Sequence, residues 1–264
     1  MLPDNSRIKK TAKSVFKENC VGSLTVSFAC MTVAFSGTVI SYLMSVFAGR
    51  FWLFLFSFLY VYLIVLPAFL GAVRYFSALI EGERVKPVSM LYYFSSLQKY
   101  KRAMHFVSSI FFAVLISVFF VMIIPGLLLV LSNSGVYKML DIAMPIWTPI
   151  LKTASIFLQI LGIGIVFLIN IKYYLSIYFF VSNDFIPVKD AIGLSIDISR
   201  ATKVDFWLLL FSMIGYILIS LPVLPLFFTM PFFMLAYVIH GKCVAVAHNE
   251  SVDFSKRQYT VVAK

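Results

Sequence analysis

Two cations inside otherwise apolar stretches are the strongest candidates for chemistry in this sequence. Arg74 is followed by Tyr75, and Lys172 is followed by Tyr173, each with a second aromatic residue after it. A cation at such a position can bind a lipid phosphate or an acidic group of a substrate. It can equally extend its charged end to the membrane interface while the aromatic rings form an interfacial belt. The sequence leaves both interpretations open.

Histidine pairs are a second place to look for chemistry, and His240 and His248 would lie on nearly one face of a helix. No spacing motif adds Cys243 or Asp253 as a further ligand. Interfacial histidines are therefore the favoured interpretation, and we predict neither a metal nor a cofactor. The motifs of zinc hydrolases, serine hydrolases, P-loop proteins and dinucleotide-binding proteins are absent. We predict that the chain is not an enzyme.

Uncharged polar residues and acids are scarce in the apolar stretches. Asn170 is a candidate binding residue, although a hydrogen bond between helices is its default role. No Asp or Glu falls in the middle of an apolar stretch. Proton-coupled transporters commonly carry such an acid, so its absence argues against proton-coupled transport. It does not argue against transport that is driven in another way.

The composition defines the class of protein that these residues belong to. Of the 264 residues, 61% are apolar and 12% are charged, whereas soluble domains are about 25% charged. This excludes an ordinary soluble enzyme and a disordered chain, and three Cys exclude a disulfide-stapled secreted domain. The net charge of +11 would suggest nucleic acid in a soluble protein. Here no basic soluble region is long enough to fold alone, so we predict the lipid bilayer and its anionic head groups as partners, and no nucleic acid.

Charged residues mark the ends of the apolar stretches, and a spanning helix needs about 20 apolar residues. The last stretch is too long for one span, and Pro222 and Pro225 interrupt it. We therefore predict an all-α membrane protein with six transmembrane helices in one polytopic domain, 1–250, followed by a cytoplasmic tail, 251–264. The predicted spans are 20–46, 51–80, 105–131, 153–182, 204–221 and 226–247.

The positive-inside rule gives the orientation. With both termini in the cytoplasm, all but three of the 22 Lys and Arg lie on the cytoplasmic side. The exceptions are Arg50, Lys138 and Lys152. We predict a multi-pass protein of a bacterial plasma membrane with its N- and C-termini inside.

Two cytoplasmic segments share one order of features. In each, a cation and aromatic residues precede an acid, a Pro-Val pair, a basic helix and an apolar span; the pairs are Pro87-Val88 and Pro187-Val188. A weaker third copy would begin with the N-terminal basic segment. The pattern predicts two or three internal repeats of a basic surface helix plus a helical hairpin. Any cytoplasmic loop can also acquire cations and a proline, which is the plainer alternative.

The basic surface helices are predicted at 1–19 and near 88–102 and 188–203. The first is amphipathic, with Ile8, Ala12, Val15 and Phe16 on one arc, which is typical of a helix lying on anionic lipid. The cations expected at the membrane surface are Lys9, Lys10, Lys13, Lys17, Lys101, Arg102, Arg200 and Lys203.

Several short segments resemble one known family. They are Arg7–Asn19, Gly71–Phe76 with Glu81–Glu83, Ile123–Gly126, Asp190–Ile192 with Ser195 and Ser199–Arg200, and Asp205–Phe206 with Ser212–Tyr216. Together they resemble a bacterial integral-membrane family known only as a domain of unknown function, number 975 in its catalogue. The resemblance covers roughly residues 5–250 and departs from the pattern over 132–152, where the outer loop is longer. It implies a six-helix plasma-membrane protein and supplies no substrate and no catalytic residue.

These features favour a non-enzymatic envelope or scaffold protein that contacts anionic lipid or a membrane-protein partner. The alternative is a small transporter or permease-like subunit with a site at the interface of the repeats. The sequence specifies no oligomeric state.

Overall fold

Helices make up all the regular structure in the part of the chain that the structure describes. The computed structural model describes residues 5–133, 137, 146–219 and 223–262. Helix α1 is Asn5–Glu18, α2 is Cys20–Ala48 and α3 is Arg50–Tyr60, and a π-helical turn, Val61–Val65, leads into α4, Leu66–Ile80. The all-α fold class is confirmed.

Two short 3-10 segments introduce the later helices. A 3-10 helix, Pro87–Phe94, precedes α5, Leu97–Leu131, and a 3-10 turn, Ile171–Tyr173, links α6, Thr148–Asn170, to α7, Ser176–Ser182. Helix α8 is Val188–Ser212, α9 is Ile214–Ile219 and α10 is Val223–Val262. The basic helix predicted near 88–102 is thus the 3-10 helix and the start of α5, whereas the one near 188–203 is the first part of α8.

Five segments are long and apolar enough to cross a membrane. They are Cys20–Leu43, Phe51–Ile80, Leu97–Leu131, Thr148–Ser182 and Phe227–His248. They correspond to the first four predicted spans and the last. The third and fourth begin earlier than predicted, because cations such as Arg102 and Lys152, used as end markers, lie inside the helices. The described chain has the make-up of a multi-pass membrane protein.

The predicted span 204–221 is not among these five. Helix α8 is polar over its first half and ends at Ser212, and Met213 leaves the helical conformation with φ −102° and ψ 2°. Helix α9 then resumes at Ile214. Pro222, where the sequence predicts a break, lies outside the described residues, and the sixth span stays a prediction.

The chain divides into two compact units. The first joins residues 1–107 to residues 175–264, and the second is 108–174. Helix α4 lies at the centre of the first unit, where α2, α7, α10 and the 3-10 helix 87–94 pack against it. Gly71 permits the closest of these approaches, because a Cβ there would collide with the backbone carbonyl of Met90.

Helix α1 packs on protein through its apolar side. Ile8 and Ala12 are 2% and 0% exposed, and the helix contacts α10. Lys10, Lys13 and Lys17 remain exposed on the other side. The expectation that Ile8 and Ala12 rest on lipid is therefore wrong: α10 supplies their apolar partner, and the exposed side of the helix is cationic.

In its described residues, the second unit consists mainly of the later part of α5 and of α6. The Ser155 hydroxyl donates to the carbonyl oxygen of Pro125 at 2.7 Å. Gly162 lies against the side chain of Met122, as the small-residue patch in this stretch predicts. Most other large side chains of the pair are exposed and apolar, which suits a lipid environment.

Candidate functional site

A carboxylate with three side-chain partners lies in the first unit. Arg74 binds both oxygens of Asp184, with Nη1–Oδ1 at 2.6 Å and Nη2–Oδ2 at 2.7 Å. The Tyr92 hydroxyl donates to Oδ2 at 2.8 Å, and Arg102 Nη1 lies 3.3 Å from Oδ1. Two-point arginine contacts of this kind are strong and fix the relative orientation of both groups. We call Arg74, Tyr92, Arg102 and Asp184 the Asp184 cluster.

Arg102 also holds the backbone beside the carboxylate. Its Nη2 donates to the carbonyl oxygens of Asn183 at 2.8 Å and Ile186 at 3.0 Å. Arg102 lies in the second turn of α5, which begins where the Ser96 hydroxyl accepts the N–H of Lys99 at 3.3 Å, the pattern of an N-cap. The start of α5 therefore determines where this arginine binds.

Aromatic rings cover the cations of the cluster. The Arg74 guanidinium lies 3.7 Å from the centroid of the Tyr92 ring, and the Lys99 ammonium lies 3.8 Å from the same centroid. Arg102 lies 4.6 Å from the ring of Phe180, which stacks on Phe106 at 4.2 Å. Each such contact contributes about 0.5–2 kcal/mol, depending on how far the cation is desolvated.

A Schellman motif at the end of α4 brings Tyr92 back to Arg74. Gly82 has φ +83°, in the left-handed region that favours glycine. Its N–H donates to Leu79 and the N–H of Glu83 donates to Ala78, at 3.1 and 3.0 Å. These are the two bonds of the motif, and they reverse the chain so that the 3-10 helix returns along α4.

The loop that carries Asp184 is equally defined by local hydrogen bonding. Immediately after α7, the Asn183 side-chain oxygen accepts the N–H of Phe185 at 2.9 Å, which is an Asx turn. Pro187 follows with an extended ψ of 144° and begins α8. The acid is therefore presented from a short, fixed turn between two helices.

The protonation states in the cluster follow from these contacts. Burial alone would raise the pKa of Asp184, but the hydrogen bonds from Arg74 and Tyr92 and the charges of Arg74 and Arg102 outweigh it, so this pKa lies below its ordinary value. Burial, together with the bond donated to Asp184, raises the pKa of the Tyr92 hydroxyl. At neutral pH the carboxylate is charged and the phenol is protonated, as their hydrogen bond requires.

A cavity of about 370 Å³ opens beside the Asp184 cluster. Arg74 and Tyr92 form part of its wall, and Glu81 and Glu83 add two carboxylates from the end of α4. The hydroxyl of Ser89, another wall residue, is buried and has no hydrogen-bond partner among the described residues. Val181 and Ser182 complete the wall from the other copy of the predicted repeat. A cavity with charges of both signs can hold a small polar molecule.

The structure reassigns two of the residues predicted in this region. Tyr75, predicted to bind lipid or substrate, is only 2% exposed, and its hydroxyl lies against Gly22 of α2. This prediction is wrong because α4 directs the ring into the core. Arg102, predicted at the membrane surface, is instead a half-buried member of the cluster. Arg74, predicted to bind a lipid phosphate or an acidic group of a substrate, has its guanidinium bound to Asp184 of the same chain.

The other predicted binding residues belong to the second unit. The Lys172 ammonium lies 5.0 Å from the ring centroid of its neighbour Tyr173. The Asn170 amide donates to the Ser117 hydroxyl and to the Val166 carbonyl, each at 2.7 Å. Asn170 therefore joins α6 to α5, which is the default role that its sequence context indicates.

Apart from Arg102, the predicted surface cations divide into three groups. Lys10, Lys13, Lys17, Lys101 and Arg200 are exposed. Lys9 is partly buried, and its ammonium donates to the carbonyl oxygen of Ser212 at 3.3 Å. The side chain of Lys203 is outside the described part of the structure.

Two members of the cluster were missed as site residues in the sequence. Asp184 marks the repeat there, and Tyr92 is one of many aromatic residues. The available signal was an acid in a short loop beside an apolar stretch, in a chain with twice as many cations as acids. A carboxylate in such a place requires a partner when it becomes buried.

The histidine candidates show no metal-site geometry. Over residues 5–133, 146–219 and the described part after 223, no three His, Cys, Asp or Glu side chains come together. His240 is 2% exposed, with its ring centroid 6.1 Å from that of Phe206. The ring of His240 is therefore covered by α8, and its interfacial position stays a prediction.

No family model, no curated protein and no solved structure matches this chain. The resemblance of the sequence to the family of unknown function stays a prediction.

Proposed function

We propose that this chain is a non-enzymatic protein of a bacterial plasma membrane that contacts anionic lipid through the cationic side of α1. The observation that carries this proposal is the docking of the helix. Ile8 and Ala12 are buried against α10 while Lys10, Lys13 and Lys17 are exposed. The cations are thus held on one outward side before any lipid is bound.

The energetics favour lipid over other acidic partners. Each cation near an anionic membrane surface contributes about 1 kcal/mol. A helix that is already docked loses little conformational freedom when it binds. The same membrane faces the exposed apolar side chains of α2 and α3, so the cationic side of α1 has anionic head groups within reach whenever the protein is inserted.

The preference for anionic lipid can be measured with spin-labelled lipids. In reconstituted bilayers, we expect the motionally restricted fraction of phosphatidylglycerol to exceed that of phosphatidylcholine. The triple variant Lys10→Gln, Lys13→Gln, Lys17→Gln is expected to lose most of this preference. The matched control is Lys101→Gln, Lys189→Gln, Arg200→Gln, which removes three exposed cations elsewhere in the first unit. A preference that is unchanged in the α1 triple contradicts a role for α1.

The finer topology belongs to the same proposal: residues 204–221 form a sixth membrane segment that bends at Met213. A stripe of apolar side chains, each more than half exposed, supports this. Leu209 and Met213, on the other side, are buried. The stripe continues past the bend and has the spacing of a lipid-facing helix side; its members are Val204, Leu208, Phe211, Ile214 and Leu218.

The placement of both termini in the cytoplasm has support from the packing of α10. Gly241 lies against the ring of Tyr178, close to the loop that follows α7. The late part of α10 is thus level with the loop at Asp184. The chain leaves this loop through α8 and returns through α10. The C-terminus therefore lies on the same side of the membrane as the loop at Asp184.

A second candidate function is a small transporter or permease-like subunit. The cavity beside the Asp184 cluster supports it, because its wall combines residues of both predicted repeat copies and transporter sites often lie at such interfaces. A transporter exposes its site to both sides in turn. In a chain without native cysteines, Ala78→Cys is expected to react with an impermeant thiol reagent from both membrane sides if this candidate is correct. Reaction from one side alone contradicts transport.

A further inference from the structure

An apolar groove of about 310 Å³ lies in the first unit, away from the charges of the Asp184 cluster. Four helices contribute to its wall: Phe69 comes from α4, Ile177 from α7, Leu209 from α8 and Met234 from α10, and Met213 joins them just after the end of α8. Every side chain in the wall is aliphatic or aromatic. Such a surface favours an apolar occupant, since a polar one would lose its hydrogen bonds to water on entering.

A partly buried cation lies beside the segment of chain that forms one wall of this groove. The Lys9 ammonium donates to the carbonyl oxygen of Ser212, the residue before Met213, at 3.3 Å. An ammonium has three N–H donors, and this bond uses one. Among the described residues, no ion pair supplies Lys9 with a carboxylate, and the carboxylate of Asp184 is paired with Arg74 and Arg102. An anion beside Lys9 would complete its environment.

We propose that the groove binds one acyl chain of an anionic phospholipid and that Lys9 binds its phosphate. The inference rests on the proposed contact with anionic lipid and assigns to it one defined site. Basic pockets between membrane helices bind anionic head groups, and a phosphate accepts the N–H donors that Lys9 has left. The apolar wall binds the chain, and the cation selects the head group.

The setting of the groove favours an acyl chain over a partner helix. Its wall belongs to a chain with the make-up of a multi-pass membrane protein, and acyl chains are the apolar material that a bilayer supplies. An acyl chain is narrow and flexible, and a phospholipid carries the phosphate that the Lys9 ammonium can bind.

The site can be tested by native mass spectrometry of the full-length protein after delipidation and titration with phosphatidylglycerol or phosphatidylcholine. The wild type is expected to retain one phosphatidylglycerol. Leu209→Trp fills the groove and is expected to abolish retention. Phe211→Trp is the matched control, since this side chain is on the same helix but 61% exposed, and it is expected to retain the lipid.

The head-group part of the proposal has its own pair of variants, and they do not depend on the folding of a groove variant. Lys9→Gln is expected to weaken retention of phosphatidylglycerol at least tenfold and to leave phosphatidylcholine unchanged. Lys10→Gln, its exposed neighbour, is expected to behave as the wild type. Equal retention of both lipids by the wild type, or unchanged retention in Lys9→Gln, overturns the assignment of the phosphate.

The results separate this site from the broader contact of α1 with lipid. The triple Lys10→Gln, Lys13→Gln, Lys17→Gln should lower the preference measured with spin-labelled lipid and should keep the single retained lipid. Leu209→Trp should keep the preference measured with spin-labelled lipid and should lose the single retained lipid. Retention that survives Leu209→Trp but is lost in the triple variant overturns the groove site while it supports the proposed contact of α1.

Discussion

Asp184 separates two arginines that would otherwise repel each other in a partly buried site. Arg74 and Arg102 both lie within 3.3 Å of its carboxylate, and the three side chains are 23–31% exposed. In such a site the removal of the acid costs more than one hydrogen bond, because two cations lose their counter-charge together. The stability of the first unit should therefore depend on this one carboxylate.

We expect Asp184→Asn to lower the free energy of unfolding by about 1–3 kcal/mol, the range for leaving polar or charged partners unsatisfied. Thermal unfolding in detergent measures the effect. Asp197→Asn is the control, since Asp197 is an exposed acid in the middle of α8, and its transition should coincide with that of the wild type. An equally small shift in both variants would show that the cluster adds nothing to stability.

The same carboxylate predicts an acid-sensitive component of stability. Since the pKa of Asp184 is lowered on folding, its contribution is fully present above the ordinary carboxyl pKa of about 4 and is lost as the pH falls through the lowered value. The melting temperature should therefore fall more steeply between neutral and acid pH in the wild type than in Asp184→Asn. If the melting temperatures of both proteins fall in parallel, Asp184 is not the source of the acid sensitivity.

The 3-10 helix 87–94 positions Tyr92. It can pack close to α4 because Gly71 has no side chain at the point of contact. We expect Gly71→Ala to destabilise the first unit by about 1–3 kcal/mol, as overpacking does, because its Cβ would collide with the Met90 carbonyl. Thermal unfolding should show the loss.

Gly193→Ala is the control for this variant. Gly193 lies inside α8 with open space around the position of a Cβ, so alanine there should be neutral or slightly stabilising. If the two alanine variants unfold alike, the close packing of the 3-10 helix on α4 does not contribute to stability.

A hydrogen bond from the Tyr100 side chain stabilises the π-helical turn before α4. Pro67 has no amide to donate to the carbonyl of Leu63, four residues earlier, and the Tyr100 hydroxyl donates to that carbonyl at 3.0 Å. Tyr100→Phe is expected to cost about 1 kcal/mol. In a Pro67→Ala background, which restores an amide, the cost should shrink. A double-mutant cycle measured by unfolding tests this coupling, and equal costs in both backgrounds would rule it out.

At the scale of the whole molecule, the topology is the property that decides between five and six membrane segments. In a chain without native cysteines, Arg257→Cys is expected to react with an impermeant maleimide only after the cells are permeabilised, because six segments return the C-terminus to the cytoplasm. Lys101→Cys serves as the cytoplasmic control. Labelling of the residue 257 variant in intact cells would show that 204–221 does not cross.

The helices of this molecule can be predicted from residues that are close in the sequence, whereas the Asp184 cluster cannot. The segment Phe51–Ile80 has the predicted bounds, because few charges interrupt the apolar stretches. The orientation of Tyr75 could not be predicted, since α4 is apolar on nearly every side and its sequence shows no preferred direction. The pairing of Arg74 with Asp184 could not be predicted either, because the two residues are 110 positions apart and meet only when α4, α5 and α7 are packed.

The separation of this ion pair also has a consequence for biosynthesis. At 5–20 residues per second, the 110 positions between Arg74 and Asp184 correspond to a delay on the order of ten seconds. During that interval the ribosome makes the entire second unit, 108–174, while Arg74 still lacks the carboxylate of Asp184. The Asp184 cluster, and with it the packed form of the first unit, can therefore form only after the second unit has been synthesised.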